Sequence, residues 1–272
     1  RMQFDTSAIL YAFGLTLFAG LSTGIGSLMA LLSRKFNPKF LAISLGFSAG
    51  VMIYVSLVEI LAKSRASLTT IYDVKTGNWI ALGAFFAGIG LIALIDRLVP
   101  SYENPHEMKN LAHPRASQAH DAKRLMRMGV FSALAISIHN FPEGMATFIG
   151  ALHDPRMGVS IAGAIAIHNI PEGIAVSVPI YFATRSHKRA FLYSFASGLA
   201  EPIGALVGFF LLSSFFTAAT FGIVFALIAG IMVYISLDEL LPTAEEYGEH
   251  HLAIGGLVGG MAVMGVSLVL FL

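Results

Sequence analysis

Apolar residues run along this chain in eight long stretches separated by polar breaks. Each stretch is long enough for an α-helix that crosses the hydrocarbon core of a bilayer, which takes about 20 residues. The eight predicted spans are residues 6–32, 40–62, 79–98, 127–151, 157–183, 190–214, 219–242 and 252–272. We therefore predict an all-α polytopic membrane protein whose residues 1–272 form a single transmembrane domain.

The composition supports a membrane protein and limits its chemistry. The chain is 56% hydrophobic and 12% charged, whereas a soluble domain has roughly 45–50% apolar and about 25% charged residues. Its net charge of +1 gives no sign of a nucleic-acid partner, and it has no cysteine. A bound metal would therefore need nitrogen and oxygen ligands. The first span is full-length and is followed by Arg34 and Lys35, so we expect no cleavable signal peptide.

The distribution of Lys and Arg predicts the orientation in the membrane. Twelve of the 17 lie in or beside the connections after spans 1, 3 and 5, and cytoplasmic connections carry the excess of positive charge. These connections are therefore predicted to be cytoplasmic, with both termini outside. The one long polar connection, residues 99–126, would be a cytoplasmic loop.

Two parts of the chain resemble each other. The segment "GVMIYVSLVEIL" (50–61) matches "GIMVYISLDELL" (230–241) at seven of twelve positions, and "GLSTGIGSL" (20–28) aligns with "GLAEPIGAL" (198–206). Spans 1–3 thus recur as spans 6–8. Spans five apart cross the membrane in opposite directions, so the repeat is inverted and the arrangement is 3+2+3. Inverted repeats with a site at their interface are typical of secondary transporters.

The most unusual polar residues lie in spans 4 and 5, within "SIHNFPEGMATF" (137–148) and "AIHNIPEGIAVS" (166–177). In each copy helical spacing puts a histidine, an asparagine and a glutamate on one face. Pro142 and Pro171 should kink the two helices and free a backbone oxygen beside each cluster. The clustered residues are His139, Asn140, Glu143, His168, Asn169 and Glu172.

A purely structural explanation is that each histidine hydrogen-bonds across a helix interface while each glutamate is buried and protonated. An ionisable residue at midspan costs roughly 2.5–3.5 kcal/mol on insertion scales, and a third carboxylate, Glu201, precedes Pro202 in span 6. This symmetric accumulation favours a mixed N/O site for Zn²⁺ or its first-row neighbours. Glu201 aligns with Thr23 in the first repeat, which suggests an extra ligand on one side. The Gly46/Gly50 and Gly256/Gly260 pairs are better explained by close helix packing.

The paired motifs, the eight spans, "AEPIGA" in span 6 and "SLDELLP" in span 7 resemble the ZIP family of zinc and iron permeases, particularly its bacterial branch. The resemblance covers essentially the whole chain. It implies a binuclear site with both central glutamates bridging. One metal would be held by His139, Glu143, His168 and Glu172, and the second by Asn140, Glu143, Asn169, Glu172 and Glu201.

The resemblance also implies an activity and a location. We expect a multi-pass protein of the bacterial cytoplasmic (inner) membrane that moves divalent metal into the cytoplasm. Zn²⁺ would be the transported substrate, with iron, manganese, cobalt and cadmium as further candidates. No organic cofactor is expected. The expected partners are metal ions and the lipid bilayer, and a homodimer is one possible assembly.

Carboxylates near the span ends could mark the two ends of a pathway. Glu59 lies near the outer end of span 2, while Asp238 and Glu239, the latter its repeat partner, lie near the cytoplasmic end of span 7. The repeat favours an entrance at the first position and an exit at the other two. Carboxylates at helix ends can also simply reach water.

Several histidines lie outside the spans. His250 and His251 stand beside acidic residues in a cytoplasmic cluster that could accept released metal or could be only a solvated helix start. His106, His113 and His120 lie in the loop 99–126, where they could capture metal weakly or belong to plain disorder.

Two other functions compete with transport. An intramembrane hydrolase could use two metals to generate hydroxide. However, the sequence has no HExxH segment, and no obvious general base is left that is not already a candidate metal ligand. The inverted repeat would also have no role in hydrolysis. A pure scaffold would leave the midspan carboxylates unexplained. We therefore predict a transporter and not an enzyme.

Overall fold

The computed structural model describes residues 5–32, 37–98, 118–212, 217–247 and 250–270, and the regular elements in these ranges are all helical. Seven helices there are long and apolar enough to cross a membrane: Thr6–Met29, Pro38–Thr69, Val74–Ile95, Pro155–Thr184, His187–Phe210, Ala218–Glu246 and His250–Leu270. The chain is therefore a multi-pass all-α membrane protein.

Apart from residues 99–117 between α4 and α5, only a few residues separate one described helix from the next. In chain order they are α1 (Thr6–Leu32), α2 (Pro38–Tyr54), a π-helical turn (Val55–Ile60), α3 (Leu61–Thr69), α4 (Val74–Leu98), α5 (Gln118–His153), α6 (Pro155–Thr184), α7 (His187–Gly198), α8 (Ala200–Leu212), α9 (Ala218–Ile235), a second π-helical turn (Ser236–Leu240), α10 (Leu241–Tyr247) and α11 (His250–Leu270).

Short polar caps start several of these helices. Asn37 accepts a hydrogen bond from the backbone N–H of Phe40 at 3.1 Å, and Asp154 accepts one from that of Arg156 at 2.9 Å. Both caps are followed directly by proline, which suits the first helical position because it has no N–H to satisfy. Asp154 is the only residue between α5 and α6, so these two helices form a tight antiparallel hairpin.

The hairpin places the two polar motifs at the same depth. His139 precedes Asp154 by 15 residues, and Asn169 follows it by 15. At 1.5 Å per residue both positions lie about 22 Å along their helices from the turn. Two antiparallel helices of this length therefore bring the motifs side by side, near the middle of α6.

Three local features differ from the simple spans expected from hydropathy. The predicted span 127–151 lies within α5, which is not among the seven candidates and already begins at Gln118. The predicted loop 99–126 is thus partly helical; residues 118–126 contain no proline or glycine to prevent this, and residues 99–117 lie outside the described ranges.

The predicted span 190–214 is divided at Leu199, because Pro202 has no N–H to donate to the carbonyl of Gly198. The two π-helical turns were not predicted.

Glycines produce the closest contacts between helices, and these contacts occur in pairs that follow the repeat. A methyl group added at any of them would overlap a backbone carbonyl oxygen of the facing helix. The pairs are Gly50 facing Leu257 with Gly230 facing Phe85, Gly26 facing Ile170 with Gly204 facing Phe141, and Gly20 with Gly198, which face each other. The predicted packing role of Gly46, Gly50, Gly256 and Gly260 is confirmed.

Two adjacent glycines of α11 provide a direct test of this packing. Gly260 faces the carbonyl of Phe47 on α2, whereas nothing lies within 4 Å of a methyl group placed on Gly259. We expect Gly260→Ala to lower the free energy of unfolding by about 1–3 kcal/mol, because a backbone carbonyl cannot rotate aside. Gly259→Ala should leave it unchanged or raise it slightly. Thermal unfolding of the purified variants in one detergent measures both, and equal midpoints would contradict the packing assignment.

Candidate metal site

Six predicted site residues have described side chains, and all six are completely buried. They are Asn140 and Glu143 on α5, His168, Asn169 and Glu172 on α6, and Glu201 on α8. The side chain of His139 lies outside the described residues. The six lie where α5 and α6 pack against each other, with α1 along α6 and α8 along α5.

The two asparagines are held in equivalent ways. The side-chain amide of Asn140 donates to the carbonyl of Ser197 at 3.2 Å, and that of Asn169 donates to the carbonyl of Ala19 at 2.9 Å. Ala19 and Ser197 are repeat partners in the alignment of residues 20–28 with 198–206. Each NH₂ group is thus tied to the backbone, and each Oδ1 is buried without a hydrogen-bond partner among the described residues.

His168 is oriented by hydrogen bonds at both ring nitrogens. Its Nδ1 lies 3.1 Å from the carbonyl of Ala164, an oxygen that can only accept, so the hydrogen is assigned to Nδ1. Its Nε2 lies 3.1 Å from Oε1 of Glu143, where a hydrogen bond needs a second proton, on either Nε2 or the carboxyl group. Oε1 of Glu172 is 3.9 Å from the same nitrogen. A backbone carbonyl on one nitrogen is the usual way in which proteins fix a histidine whose other nitrogen binds metal.

Glu201 joins this cluster from α8. The amide of Asn169 donates a hydrogen bond to Oε1 of Glu201, and the carbonyl of Glu201 lies against Gly144 of α5. The equivalent contact in the other half joins the carbonyl of Thr23 to Gly173. Thr23 and Glu201 thus occupy matching places, and only one of them supplies a carboxylate.

Four oxygens of the predicted ligands have no hydrogen-bond partner among the described residues. They are Oδ1 of Asn140, Oδ1 of Asn169, Oε2 of Glu143 and Oε2 of Glu201. A buried polar atom left in this way costs about 1–3 kcal/mol. Hydroxyls of Thr23, Ser27, Ser56 and Thr147 share this condition, but carboxylate and amide oxygens cannot donate and need a donor or a cation. The arrangement therefore suits a cation that binds between α5, α6 and α8.

The donors do not surround one point in the present arrangement. Within the described side chains, no group of three or more His, Asp and Glu residues is arranged to hold a metal ion. Zinc ligands lie about 2.0–2.2 Å from the ion, whereas here Nε2 of His168 contacts Glu143 at 3.1 Å, and Glu172 and Glu201 accept hydrogen bonds from Ser48 and Asn169. Binding would require these side chains to exchange mutual hydrogen bonds for metal contacts.

Comparison with known proteins places this site in a family. The model of the ZIP zinc transporter family matches residues 96–268. The chain belongs to this family. It is 64% identical over 266 residues to the zinc transporter ZupT of Chlorobium chlorochromatii, covering 98% of this chain and 99% of that one. The ZupT of Chlorobaculum parvum is 66% identical over 267 residues, with 98% and 100% covered, and that of Lysinibacillus sphaericus is 61% identical over 267 residues, with 96% and 98% covered.

The predicted entrance of this ZIP chain lies beside a polar cavity. Glu59 is 4.0 Å from the ammonium of Lys63, and both line a cavity of about 360 Å³ between α2, α3, α6 and α11. Asp154 and Arg156 at the start of α6 also line it. The cavity contains two carboxylates and two cationic side chains, so its charges balance.

The other predicted pathway residues are only partly placed. Asp238 and Glu239 are partly buried in the second π-helical turn, at the position that Glu59 occupies in the first. Exposed His250 lies 2.6 Å from Oε1 of Glu245, and its ring centroid is 5.6 Å from that of His251. His106 and His113 lie outside the described residues, as does the side chain of His120.

One contact of the ZIP site was not predicted from the sequence. Ser48 of α2 is fully buried and donates a hydrogen bond to Oε1 of Glu172 at 2.8 Å. Its only sequence signal is a polar residue inside an apolar span. The repeat gave no help, because the equivalent position in the alignment of residues 50–61 with 230–241 is Ile228.

The role of Asn169 as a donor to both Ala19 and Glu201 yields a test. We expect Asn169→Asp to lower the metal-free unfolding temperature, because two buried acceptors lose their donor and a second carboxylate faces Glu201. Added Zn²⁺ should raise the unfolding temperature of this variant more than that of the unaltered protein. Thermal unfolding with and without Zn²⁺ measures both effects.

The matched control is Asn78→Asp. The amide of exposed Asn78 also donates to a backbone carbonyl, that of Val74, at 2.7 Å. Surface changes of this kind are usually within about 0.5 kcal/mol. An Asn169→Asp protein that unfolds at the unaltered temperature without metal would show that Asn169 does not hold Glu201.

Proposed function

We propose that this chain carries Zn²⁺ into the cytoplasm through a two-metal site near the middle of the bilayer. The family to which it belongs consists of membrane metal transporters and not of enzymes. The observation that carries the proposal for the site is the set of four unpartnered Asn and Glu oxygens beside the oriented imidazole of His168. Such groups are costly inside a membrane unless they bind something.

The ligand assignment follows the chemistry of the donors. One ion would use His139, Glu143, His168 and Glu172, and the other Asn140, Glu143, Asn169, Glu172 and Glu201. Both central glutamates would bridge. The fixed amides of Asn140 and Asn169 direct oxygen toward the second position, which makes that position the harder of the two. Imidazole favours Zn²⁺ at the first position, although iron, manganese, cobalt and cadmium also accept such ligands.

The proposed architecture is an eight-span 3+2+3 arrangement in one transmembrane domain, with α5 as the eighth span. Its support is the pairing of glycine contacts along the repeat, including Gly20 and Gly198, which face each other as repeat partners would beside a two-fold axis. The Asn140 and Asn169 hydrogen bonds follow the same pairing. An inverted repeat places the site at the interface of its halves, where it can be exposed to either side in turn.

The proposed location is a bacterial inner membrane with both termini outside. The excess of Lys and Arg on the connections after spans 1, 3 and 5 supports this orientation. Assembly as a homodimer stays a prediction.

Removing either central carboxylate should stop transport. We expect Glu143→Ala and Glu172→Ala each to reduce uptake of radiolabelled zinc into proteoliposomes at least about a hundredfold, since each residue would serve both ions and outer-shell changes alone cost 10–100-fold. Asp73→Asn is the control, because Asp73 is an exposed carboxylate at the start of α4, and asparagine can keep its capping hydrogen bond with the backbone N–H of Lys75. A folded Glu143→Ala protein with near-normal uptake would contradict the bridging assignment.

Glu201 separates the two proposed ions. Because it contributes only to the second position, Glu201→Gln should bind one fewer metal ion per chain and retain measurable uptake. Metal content of the purified protein by mass spectrometry, with uptake measured on the same preparation, checks both statements. Loss of all bound metal would show that the two positions cannot be separated.

A further inference from the structure

Ser48 touches the candidate site from a helix that contributes none of the proposed ligands. Those ligands belong to α5, α6 and α8, whereas Ser48 lies in the middle of α2, which packs chiefly along α11. Its hydroxyl oxygen is 2.8 Å from Oε1 of Glu172, and both side chains are fully buried. The contact therefore links α2 to the ligand-bearing helix α6 in the interior of the protein.

The direction of this hydrogen bond is fixed by chemistry. The hydroxyl of Ser48 is the donor and Oε1 of Glu172 is the acceptor. Away from water, a hydrogen bond between two buried groups is electrostatically stronger than the same bond in water. With no water at this depth, the bond restrains one oxygen of Glu172 and thereby the plane of the carboxylate.

The opposite half of the repeat lacks this contact. Ile228 takes the place of Ser48 and lines an apolar cavity of about 580 Å³ together with Phe141 and Pro142 of α5. Glu143, the counterpart of Glu172, is held instead by His168 at 3.1 Å. The two central glutamates are thus oriented by different side chains, one by an imidazole and the other by a hydroxyl.

We propose that Ser48 is a positioning residue of the metal site, whose hydroxyl orients the carboxylate of Glu172 and so sets the affinity for the transported ion. This inference rests on the proposed function, because Glu172 is a metal ligand only there. Groups that orient a ligand typically change metal affinity 10–100-fold when they are removed. A serine that only fills space would affect stability instead.

Three variants test the proposal. Ser48→Ala should weaken Zn²⁺ binding about tenfold or more, measured by calorimetry on the purified protein. In proteoliposomes the KM for zinc uptake should rise by a similar factor, while the maximal rate changes much less. Ser48→Thr keeps the hydroxyl and should restore both values to within about threefold of the unaltered protein.

Ser64→Ala is the matched control. Ser64 is also fully buried, and it lies on α3, which continues from α2 through the first π-helical turn. It donates a hydrogen bond to the carbonyl of Gly222 at 2.6 Å. Its loss removes a buried hydrogen bond away from the site, so stability should fall while zinc affinity and KM stay unchanged.

A fourth variant, His168→Ala, separates a failure of the role of Ser48 from a failure of the proposed metal site. If it abolishes high-affinity binding while Ser48→Ala binds zinc as the unaltered protein does, the role of Ser48 is wrong and the proposed site stands. If Ser48→Thr is as weak as Ser48→Ala, the hydroxyl is not the determining group and the inference is overturned. If His168→Ala binds zinc normally, the proposed site fails and the inference fails with it.

Discussion

The hydrocarbon core of the bilayer offers no water, and this constraint governs the polar contacts of the buried site. A polar group placed there must be satisfied by the protein itself or by a ligand. The backbone meets this demand by forming helices in the spans. Asn140 and Asn169 meet half of it by donating to carbonyls of neighbouring helices. Several carboxylate and amide oxygens remain without a partner among the described residues, and the proposed cation would satisfy them.

Close helix packing is what makes these contacts available. Gly144 and Gly173 allow the backbone carbonyls of Glu201 and Thr23 to approach α5 and α6 directly. A larger side chain at either place would hold α8 or α1 away, and the hydrogen bonds made by the two asparagines depend on that approach. The glycines and the polar cluster therefore depend on each other. The small residues set the distance between neighbouring helices, and the polar side chains form hydrogen bonds across that distance.

Much of this arrangement could be predicted from the sequence, because the length of an apolar stretch and the spacing of a motif are strong local signals. Helix α1 begins at Thr6 and ends at Leu32 as predicted, and the six predicted metal ligands with described side chains are all buried. The π-helical turns could not be predicted, since a shift of one hydrogen-bond register leaves no mark on hydropathy. The contact of Ser48 could not be predicted, because it depends on how α2 packs against α6. The internal repeat gave no indication of it, since the equivalent position is the apolar Ile228.

The single residue between α5 and α6 has a mechanical consequence. With only Asp154 as a connection, neither helix has the slack to slip one helical turn, about 5.4 Å, past the other. In any movement of this region the two helices would therefore shift together. An ion bound between the motifs would then keep its ligands from these two helices while its surroundings change. It would move together with the hairpin and would not be transferred from one set of ligands to another.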